Sequence, residues 1–394
     1  MDALRRGADR KGQRTHHRHR ARGPIRAGRG RGEGGGSGAF SRDRGRQCSR
    51  GERVTASPAR HATILDVAAA AGVSKSTVSN VIRGVVGVSP DTRTRVQEVI
   101  DQLGYRPNVL ARQLVQQRTT TLGVVVGDMG NPFYAEMAKH IEREAAGRGY
   151  RAMFCNTQGE NEAELSGLES LMEYRAAGVL FLSQPADRER ARSIVSGRAP
   201  AVFVTCAGDW GDTVSADDDA GAELATEHLV RLGHRRIAYF ADPIVEDSAD
   251  HDRQTGYHRV MDRAGLAPTI FHWQRQPGEL LRQKRDEQVA EILRTRVTAV
   301  FSSNDYGAIE LLECADRLGV KVPDDLSVVG FDDVVMAGLA RINLTTVRQP
   351  QAELAGIAVE ILDARVNGVL DGAHQRRTLD VELVLRGSTA SPQP

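Results

Sequence analysis

Beyond Thr119 the chain alternates short apolar runs with longer amphipathic segments. The runs at 122–128, 177–183, 200–205, 236–242, 298–303 and 326–333 have the length and continuity of buried strands. Between them, segments 132–148, 162–175, 219–232, 253–265 and 305–318 repeat apolar residues at helical spacing. This alternation predicts doubly wound parallel sheets. Because such sheets bind ligands beyond the carboxyl ends of their strands, the polar residues after each run are candidate site residues.

Residues 63–84 have a different pattern, which predicts two short helices joined by a tight turn. Thr63 is placed to cap the first helix, Gly72 supplies a left-handed turn, and Ser74 is placed to cap the second helix. The buried positions predicted for the two helices are Ile64, Val67, Ala68, Val78, Val81 and Ile82. The opposite face of the second helix carries short polar side chains sized for base edges and phosphates: Lys75, Ser76, Thr77, Ser79 and Asn80. A helix-turn-helix that binds double-stranded DNA is the favoured interpretation, and a solvated face on a small bundle is the alternative.

A third helix is predicted to begin at Ser89-Pro90, where serine is placed as the cap and proline occupies the first helical position. Its buried stripe is predicted to be Val96, Val99, Ile100 and Leu103, and Gly104 ends it. The segment 109–118 is long enough for only one short helix. We expect that helix to form only where another surface braces it, because isolated short helices are marginal in water.

Charge is distributed unevenly along the 394 residues. Residues 1–57 contain 16 Lys and Arg against 5 Asp and Glu, and residues 58–118 contain 8 against 4. The remaining chain contains 29 against 42, so a net charge of only +2 conceals a basic front and an acidic body. This asymmetry indicates that only the N-terminal part meets a polyanion such as DNA.

The first 57 residues are rich in Arg, Gly and His and contain few apolar residues, which predicts a disordered basic extension. One interpretation is an arm that adds non-specific, salt-sensitive affinity for DNA. The other is upstream sequence translated from a wrongly chosen start, with the true start near Val54. Only 5 of the 53 basic residues are Lys, a bias typical of GC-rich coding sequence, which supports the second interpretation.

Several protein classes are not supported by the sequence. It has no apolar run long enough for a membrane span and no apolar core of a secretory signal, so we expect a cytoplasmic protein. The four cysteines show neither metal-ligand nor disulfide spacing, and no cofactor motif is evident. An enzyme is disfavoured because the phosphate loop, the zinc-protease motif and the nucleophile elbow are all missing.

The strings TILDVAAAAGVSKSTVSN, VSPDTRTRV and LGYRPNVLARQL together resemble the LacI/GalR, or lactose-repressor, family of bacterial transcription factors. The resemblance implies an all-α helix-turn-helix head over 62–106, a hinge helix over 107–118 and an α/β effector and dimerisation domain over 119–390. It further implies two Rossmann-like lobes resembling a periplasmic binding protein, joined by three crossovers. Lobe one would comprise about 121–232 and 350–377, and lobe two about 233–349 and 378–390.

Residue roles follow from the same resemblance. It places base contacts at Lys75, Ser76 and Asn80, and phosphate contacts at Thr77, Ser79 and Ser89. Asn80 and Arg83 depart from residues frequent in the family, so we expect a half-site unlike the lactose operator. In the hinge, Leu114 would wedge into the minor groove with Ala111 beside it, and Asn108 would contact DNA. These roles imply a homodimer on a pseudo-palindromic operator.

The resemblance also implies that a small molecule, a sugar or related polyol, binds in the cleft between the lobes. The positions that match the family's cleft residues are Phe133, Tyr134, Arg253, Asn304 and Asp332, with Trp273 as a stacking aromatic in uncertain register. Asp305 and Asp333 are either ligand contacts or helix caps. The cluster Asp217-Asp218-Asp219 is expected to be a solvated loop and helix cap, and a metal site is the alternative. A repressor released by an inducer is favoured, and a corepressor-dependent regulator of non-sugar metabolism is the alternative.

Overall fold

The structure is a computed structural model that describes residues 62–82, 84–106, 119–241, 248–272 and 280–393. Its head contains three helices: α1 (Ile64–Ala71), α2 (Lys75–Ile82) and α3 (Pro90–Leu103). Thr63 caps α1, and its partner Asp66 completes the reciprocal capping pair. Gly72 has a φ of 63°, a left-handed geometry that glycine adopts without a side-chain clash, and it ends α1.

The apolar stripes of the head pack as the sequence pattern predicts for α1 and α2. Val67 and Ala68 of α1 and Val78 and Val81 of α2 are buried. Ile64 and Ile82, also predicted to be buried, are only partly covered. In α3 only Val96 is fully buried, and Leu103 is exposed, which differs from the predicted stripe.

The α/β region contains two six-stranded sheets. The chain first runs through β1 (Thr121–Val126), α4 (Pro132–Gly147), β2 (Arg151–Asn156), α5 (Asn161–Glu173), β3 (Gly178–Phe181), α6 (Arg188–Val195), β4 (Ala201–Val204) and β5 (Asp212–Ala216). These strands pair in the order β2-β1-β3-β4-β5, and all neighbours are parallel. In register, Thr121 lies opposite Arg151 across the β1–β2 pair.

The second lobe, which contains the second sheet, follows along the chain. Its helices and strands are α7 (Asp218–Arg231), β6 (Ile237–Ala241), α8 (Ala249–Arg263), β7 (Thr269–His272), α9 (Leu280–Arg294), β8 (Ala299–Ser302), α10 (Asp305–Arg317), β9 (Ser327–Asp332), a 3-10 turn (Val335–Gly338) and β10 (Thr345–Arg348). The chain then returns to the first lobe through α11 (Gln351–Val366) and β11 (Arg376–Leu379), and ends with β12 (Glu382–Val384) in the second sheet. β12 runs antiparallel to β10, and the other pairs of this sheet are parallel.

The expected fold class is confirmed: a helix-turn-helix head and an α/β region of two Rossmann-like lobes. The chain crosses from one lobe to the other at three places: after β5 and before α7, after β10 and before α11, and after β11 and before β12. The predicted hinge helix over 107–118 lies outside the described residues.

The lobe boundary expected near residue 232 is wrong. Helix α7 packs on α8 and on strands of the second sheet, so lobe two begins at Asp218 rather than at 233. Glycine allows this close packing: a Cβ at Gly256 would lie 2.3 Å from the backbone oxygen of Asp219, and one at Gly221 would lie 2.6 Å from the Phe331 ring. The boundary at 377 also shifts, because β11 extends to Leu379 alongside β5.

Candidate functional site

The polar face of α2 is partly exposed, whereas Val78 and Val81 of the same helix are buried. Ser74 accepts a hydrogen bond from the Thr77 amide at 3.1 Å, so it caps the helix as predicted. Lys75 and Ser76 are exposed, whereas the other predicted contact residues of this helix, Thr77, Ser79 and Asn80, are half-buried.

Ser89, predicted to contact phosphate, begins α3 and accepts from the Thr92 amide at 3.4 Å. It is exposed, so its hydroxyl is accessible from solvent. Four further residues predicted to contact DNA, Arg83, Asn108, Ala111 and Leu114, lie outside the described residues.

A cavity of about 120 Å³ lies in the α/β region, where the carboxyl ends of strands from both sheets face each other. Five of the six predicted effector residues line it: Phe133, Tyr134, Arg253, Asn304 and Asp332. The sixth, Trp273, lies outside the described residues. The other lining residues are Asn131, Leu182, Ser183, Gln184, Thr205, Cys206, Ser248, Ala249 and Asp250.

Helix α4 brings two aromatic residues to the cavity. Asn131 caps this helix by accepting from the Phe133 amide at 3.0 Å, and Pro132 fixes its first turn. The rings of Phe133 and Tyr134 then meet edge to face, with centroids 5.6 Å apart. Burial, together with Asp250, Cys206 and Asp332, raises the pKa of the Tyr134 hydroxyl, so at neutral pH it remains a neutral donor and acceptor.

Arg253 is held on several sides within lobe two. Its Nε donates to Asp218 Oδ1 at 2.8 Å and its Nη1 donates to the Ser303 carbonyl at 2.5 Å. Its guanidinium carbon lies 3.9 Å from the centroid of the Phe331 ring. Burial alone would lower the pKa of Arg253, but the carboxylates of Asp218, Asp332 and Asp250 outweigh it and raise that pKa. The guanidinium therefore stays charged in a fixed orientation.

The expectation of a solvated cluster at Asp217-Asp218-Asp219 is wrong for its middle residue. Asp217 caps α7 by accepting from the Ala220 amide at 3.0 Å, and Asp219 pairs with Arg259 at 2.6 Å on the outer side. Asp218 is only 5% exposed and pairs with Arg253. Successive helical residues point about 100° apart. One of the three carboxylates is therefore directed into the lobe.

Asp332 and Asn304 come from the ends of neighbouring strands. Asp332 closes β9 with a φ of 126°, is buried, and accepts from Gln349 Nε2 at 2.7 Å. Burial raises the pKa of this carboxyl, while the nearby Arg253 lowers it. Asn304 caps α10 by accepting from the Gly307 amide at 2.8 Å.

Asp305 and Asp333, which the sequence left as either ligand contacts or caps, are not among the residues that line the cavity. Asp305 is buried and accepts from Thr346 Oγ1 at 2.5 Å and from the Val334 amide at 2.9 Å. Asp333 accepts from Arg348 Nε at 2.6 Å and from Arg386 Nη2 at 2.5 Å. Both carboxylates hold lobe two together.

Sequence reasoning missed several polar residues that line the cavity: Ser183, Gln184, Thr205 and Asp250. The first three lie within three residues of the carboxyl ends of β3 and β4, so the rule that ligands bind beyond strand ends could have found them. Asp250 lies in the first turn of α8, one turn before Arg253, and does not follow one of the predicted apolar runs directly. Within the described ranges, no group of three or more His, Cys, Asp or Glu side chains is arranged to hold a metal ion.

Comparison with known proteins gives two family matches. Residues 63–108 match the model "Bacterial regulatory proteins, lacI family", and residues 226–389 match the model "Periplasmic binding protein-like domain". The ribose operon repressor of Escherichia coli K12 is 35% identical over 313 residues, which cover 77% of this chain and 93% of that protein. The chain belongs to the LacI family. It is thus a DNA-binding transcriptional regulator with an effector domain.

Solved structures of this LacI family lead to the same conclusion. The lac repressor dimer bound to operator and the anti-inducer ONPF has a TM-score of 0.71 at 26% identity, covering 84% of this chain and all of that one. A LacI family transcriptional regulator from Enterococcus faecium, solved with bound ribose, has a TM-score of 0.62 at 25% identity, covering 69% of this chain and all of that one.

Among the described residues, every helix is too short or too polar to span a membrane.

Proposed function

We propose that this LacI-family protein is a cytoplasmic repressor that binds a pseudo-palindromic operator as a homodimer and is released by a sugar or related polyol. The observation that carries the proposal is the cavity between the two sheets, where Tyr134, Arg253, Asn304 and Asp332 converge. Side chains of this kind bind a polyol well, because carboxylate and amide groups pair with ring hydroxyls and an aromatic ring covers an apolar sugar face.

The DNA-binding part of the proposal rests on α2. Its exposed Lys75 and Ser76 are available for base and phosphate contacts, and Asn80 on the same helix is suited to adenine. In a homodimer, two such helices would enter successive major grooves, which requires inverted half-sites. The family resemblance adds a minor-groove wedge at Leu114 near the operator centre.

Control by the effector follows from its position between two lobes. A ligand that binds one arrangement of the lobes more tightly than another shifts the population toward that arrangement. In this proposal the shift changes whether the paired hinge segments support operator binding.

The test is selection of binding sites from random duplex DNA by the purified full-length chain, with and without D-ribose. The expected result is enrichment of a pseudo-palindrome that is lost when the sugar is added. Enrichment only when the sugar is present would favour a corepressor mechanism. Failure to enrich any sequence, with or without sugars, would contradict the assignment of α2 as the DNA reader.

Asp332 gives a second, more local test. We expect Asp332→Ala to abolish the effector response, because it removes a buried carboxylate that faces the ligand, while operator affinity stays within about twofold of wild type. Electrophoretic mobility shift with increasing sugar measures both quantities. Asp324→Ala, an exposed substitution in the same lobe, is the control. A mutant at Asp332 that responds like wild type would remove this residue from the site.

A further inference from the structure

The cavity contains more negative than positive charge among the residues that the structure describes. Asp250, Arg253 and Asp332 line it, and Asp218 lies directly behind Arg253. These four side chains supply three carboxyl groups against one guanidinium, and Asp218 and Asp250 alone outnumber it even though burial raises the pKa of Asp332. Nothing in the described wall offers a second cation to a ligand.

The one guanidinium is already neutralised from within the lobe. Asp218, itself 5% exposed, accepts from Arg253 Nε at 2.8 Å, and the Ser303 carbonyl accepts from Nη1 at 2.5 Å. Asp250 adds a second carboxylate 3.9 Å from Nη1. Two of the three guanidinium nitrogens are therefore engaged by the protein. Arg253 can donate a hydrogen bond to a ligand, but it does not give the cavity a net positive charge.

The wall from lobe one adds no charge to the cavity. Its described lining residues are all uncharged: Asn131, Phe133, Tyr134, Leu182, Ser183, Gln184, Thr205 and Cys206. The charge of the described lining is therefore set by lobe two.

We propose that this cavity selects its effector by charge: it accepts a neutral or cationic polyhydroxylated molecule and excludes one that carries a carboxylate or a phosphate. Asp218 sets this selectivity by neutralising Arg253, although it does not line the cavity. The proposal rests on the effector site proposed above and specifies the chemical class of its ligand.

The charge of the cavity can be measured without knowing the effector. Ser183 lines the cavity and is half-buried, so Ser183→Cys in the full-length chain places a reactive thiol there as a reporter. The same variant carries Cys206→Ala, which removes the thiol that already lines the cavity. The reporter is treated with a cationic aminoethyl or an anionic sulfonatoethyl methanethiosulfonate, and its modification is followed by peptide mass spectrometry. Ser196→Cys, at an exposed serine of the same lobe, supplies the reference ratio of the two rates.

We expect the cationic reagent to react faster than the anionic one at residue 183 by about tenfold or more, relative to the ratio at residue 196. Asp218→Asn should raise the anionic rate at residue 183, because the amide oxygen can still accept from Arg253 while the negative charge is lost. Asp219→Asn is the matched control, since the neighbouring carboxylate pairs with Arg259 on the outer side. That variant should leave the rate ratio unchanged.

Two results would overturn the charge inference. One is a ratio of cationic to anionic modification rates at residue 183 that equals the ratio at residue 196, and the other is no modification of residue 183 by either reagent. Identical effects of Asp218→Asn and Asp219→Asn would overturn the role of Asp218. If Asp218→Asn fails to fold, Asp250→Asn tests the same negative charge, since Asp250 lines the cavity and lies 3.9 Å from Arg253 Nη1. A failed response to D-ribose in the operator assay would instead count against the proposed effector, and it would leave these rates unaffected.

Discussion

The two lobes contribute different chemistry to one cavity. The described lining residues of lobe one are all uncharged: Asn131, Phe133, Tyr134, Leu182, Ser183, Gln184, Thr205 and Cys206. Every charged residue of the described lining, Asp250, Arg253 and Asp332, comes from lobe two. In the proposed effector site, lobe two would therefore orient the ligand through charged groups, whereas lobe one would cover it with aromatic and neutral polar groups. Substitutions in lobe two should therefore have the larger effects.

The largest effect is expected at the buried ion pair of lobe two. Arg253→Met leaves Asp218 buried without its partner, and breaking such a pair typically costs about 3–5 kcal/mol. Urea denaturation of the wild type and the variant measures the change in the free energy of unfolding. Arg259→Met, which removes an exposed arginine bound to Asp219 and Glu223, is the control and should change stability little. Comparable losses in both variants would show that the buried pair has no special role.

Lobe one has a buried carboxyl of its own, that of Glu164 on α5. We expect removal of its negative charge to stabilise the folded protein. Burial raises the pKa of Glu164 to about 7, and its Oε1 is buried without a hydrogen bond from the described residues. The protonated form of Glu164 is therefore the one that the folded state favours. Its contribution to the free energy of unfolding is fully present below pH 4.5, the pKa in the unfolded chain, and is lost as the pH rises through about 7. Glu164→Gln should stabilise the protein by roughly 1 kcal/mol at pH 8 and by little at pH 4.

Asp305 of lobe two is the matched carboxyl for that experiment. Burial raises its pKa to about 7 as well, but it accepts from both Thr346 and Val334. Asp305→Asn should therefore destabilise the protein at pH 8, where the ionised carboxylate accepts from both donors and an amide oxygen replaces only one of its two oxygens. Thermal unfolding of both variants at the two pH values checks the contrast. A stabilising Asp305→Asn at pH 8 would remove the distinction between the lobes.

The smallest effect is expected at the aromatic wall of lobe one. Tyr134→Phe keeps the ring and removes only a neutral hydroxyl, a change worth about 1 kcal/mol or roughly fivefold in affinity. Calorimetric titration with D-ribose compares this variant with Asp332→Ala. A loss at Tyr134 as large as the loss at Asp332 would contradict the division of roles between the lobes.

The sequence predicts the central strands well and the more polar ones poorly. The apolar runs that become β1, β3, β4, β6, β8 and β9 are evident because both of their faces are buried. Strand β10 was missed because it begins Thr345-Thr346, and these threonines are buried through hydrogen bonds rather than through apolar side chains. Such a strand does not form an apolar run, so periodicity alone does not reveal it.

The site shows the same limit. Family motifs located five of the lining residues, because those positions follow strands or begin helices with recognisable sequence. Asp218 was misjudged because three adjacent aspartates look like a solvated cap, and only the packing of α7 against α8 shows which one is buried. The lobe to which α7 belongs was misjudged for a related reason. The chain changes lobes within two residues of β5, and no composition change marks the crossing.

Two of the crossovers between the lobes are hydrogen-bonded to residues that line the cavity. Asp218, at the first crossover, holds Arg253, and Gln349, at the second, donates to Asp332 at 2.7 Å. In the proposed effector site, a ligand bound to Arg253 or Asp332 would therefore act on residues that adjoin two of the crossovers between the lobes. Genetic screens for variants that bind operator but no longer respond to effector should accordingly return substitutions at 218 and 349.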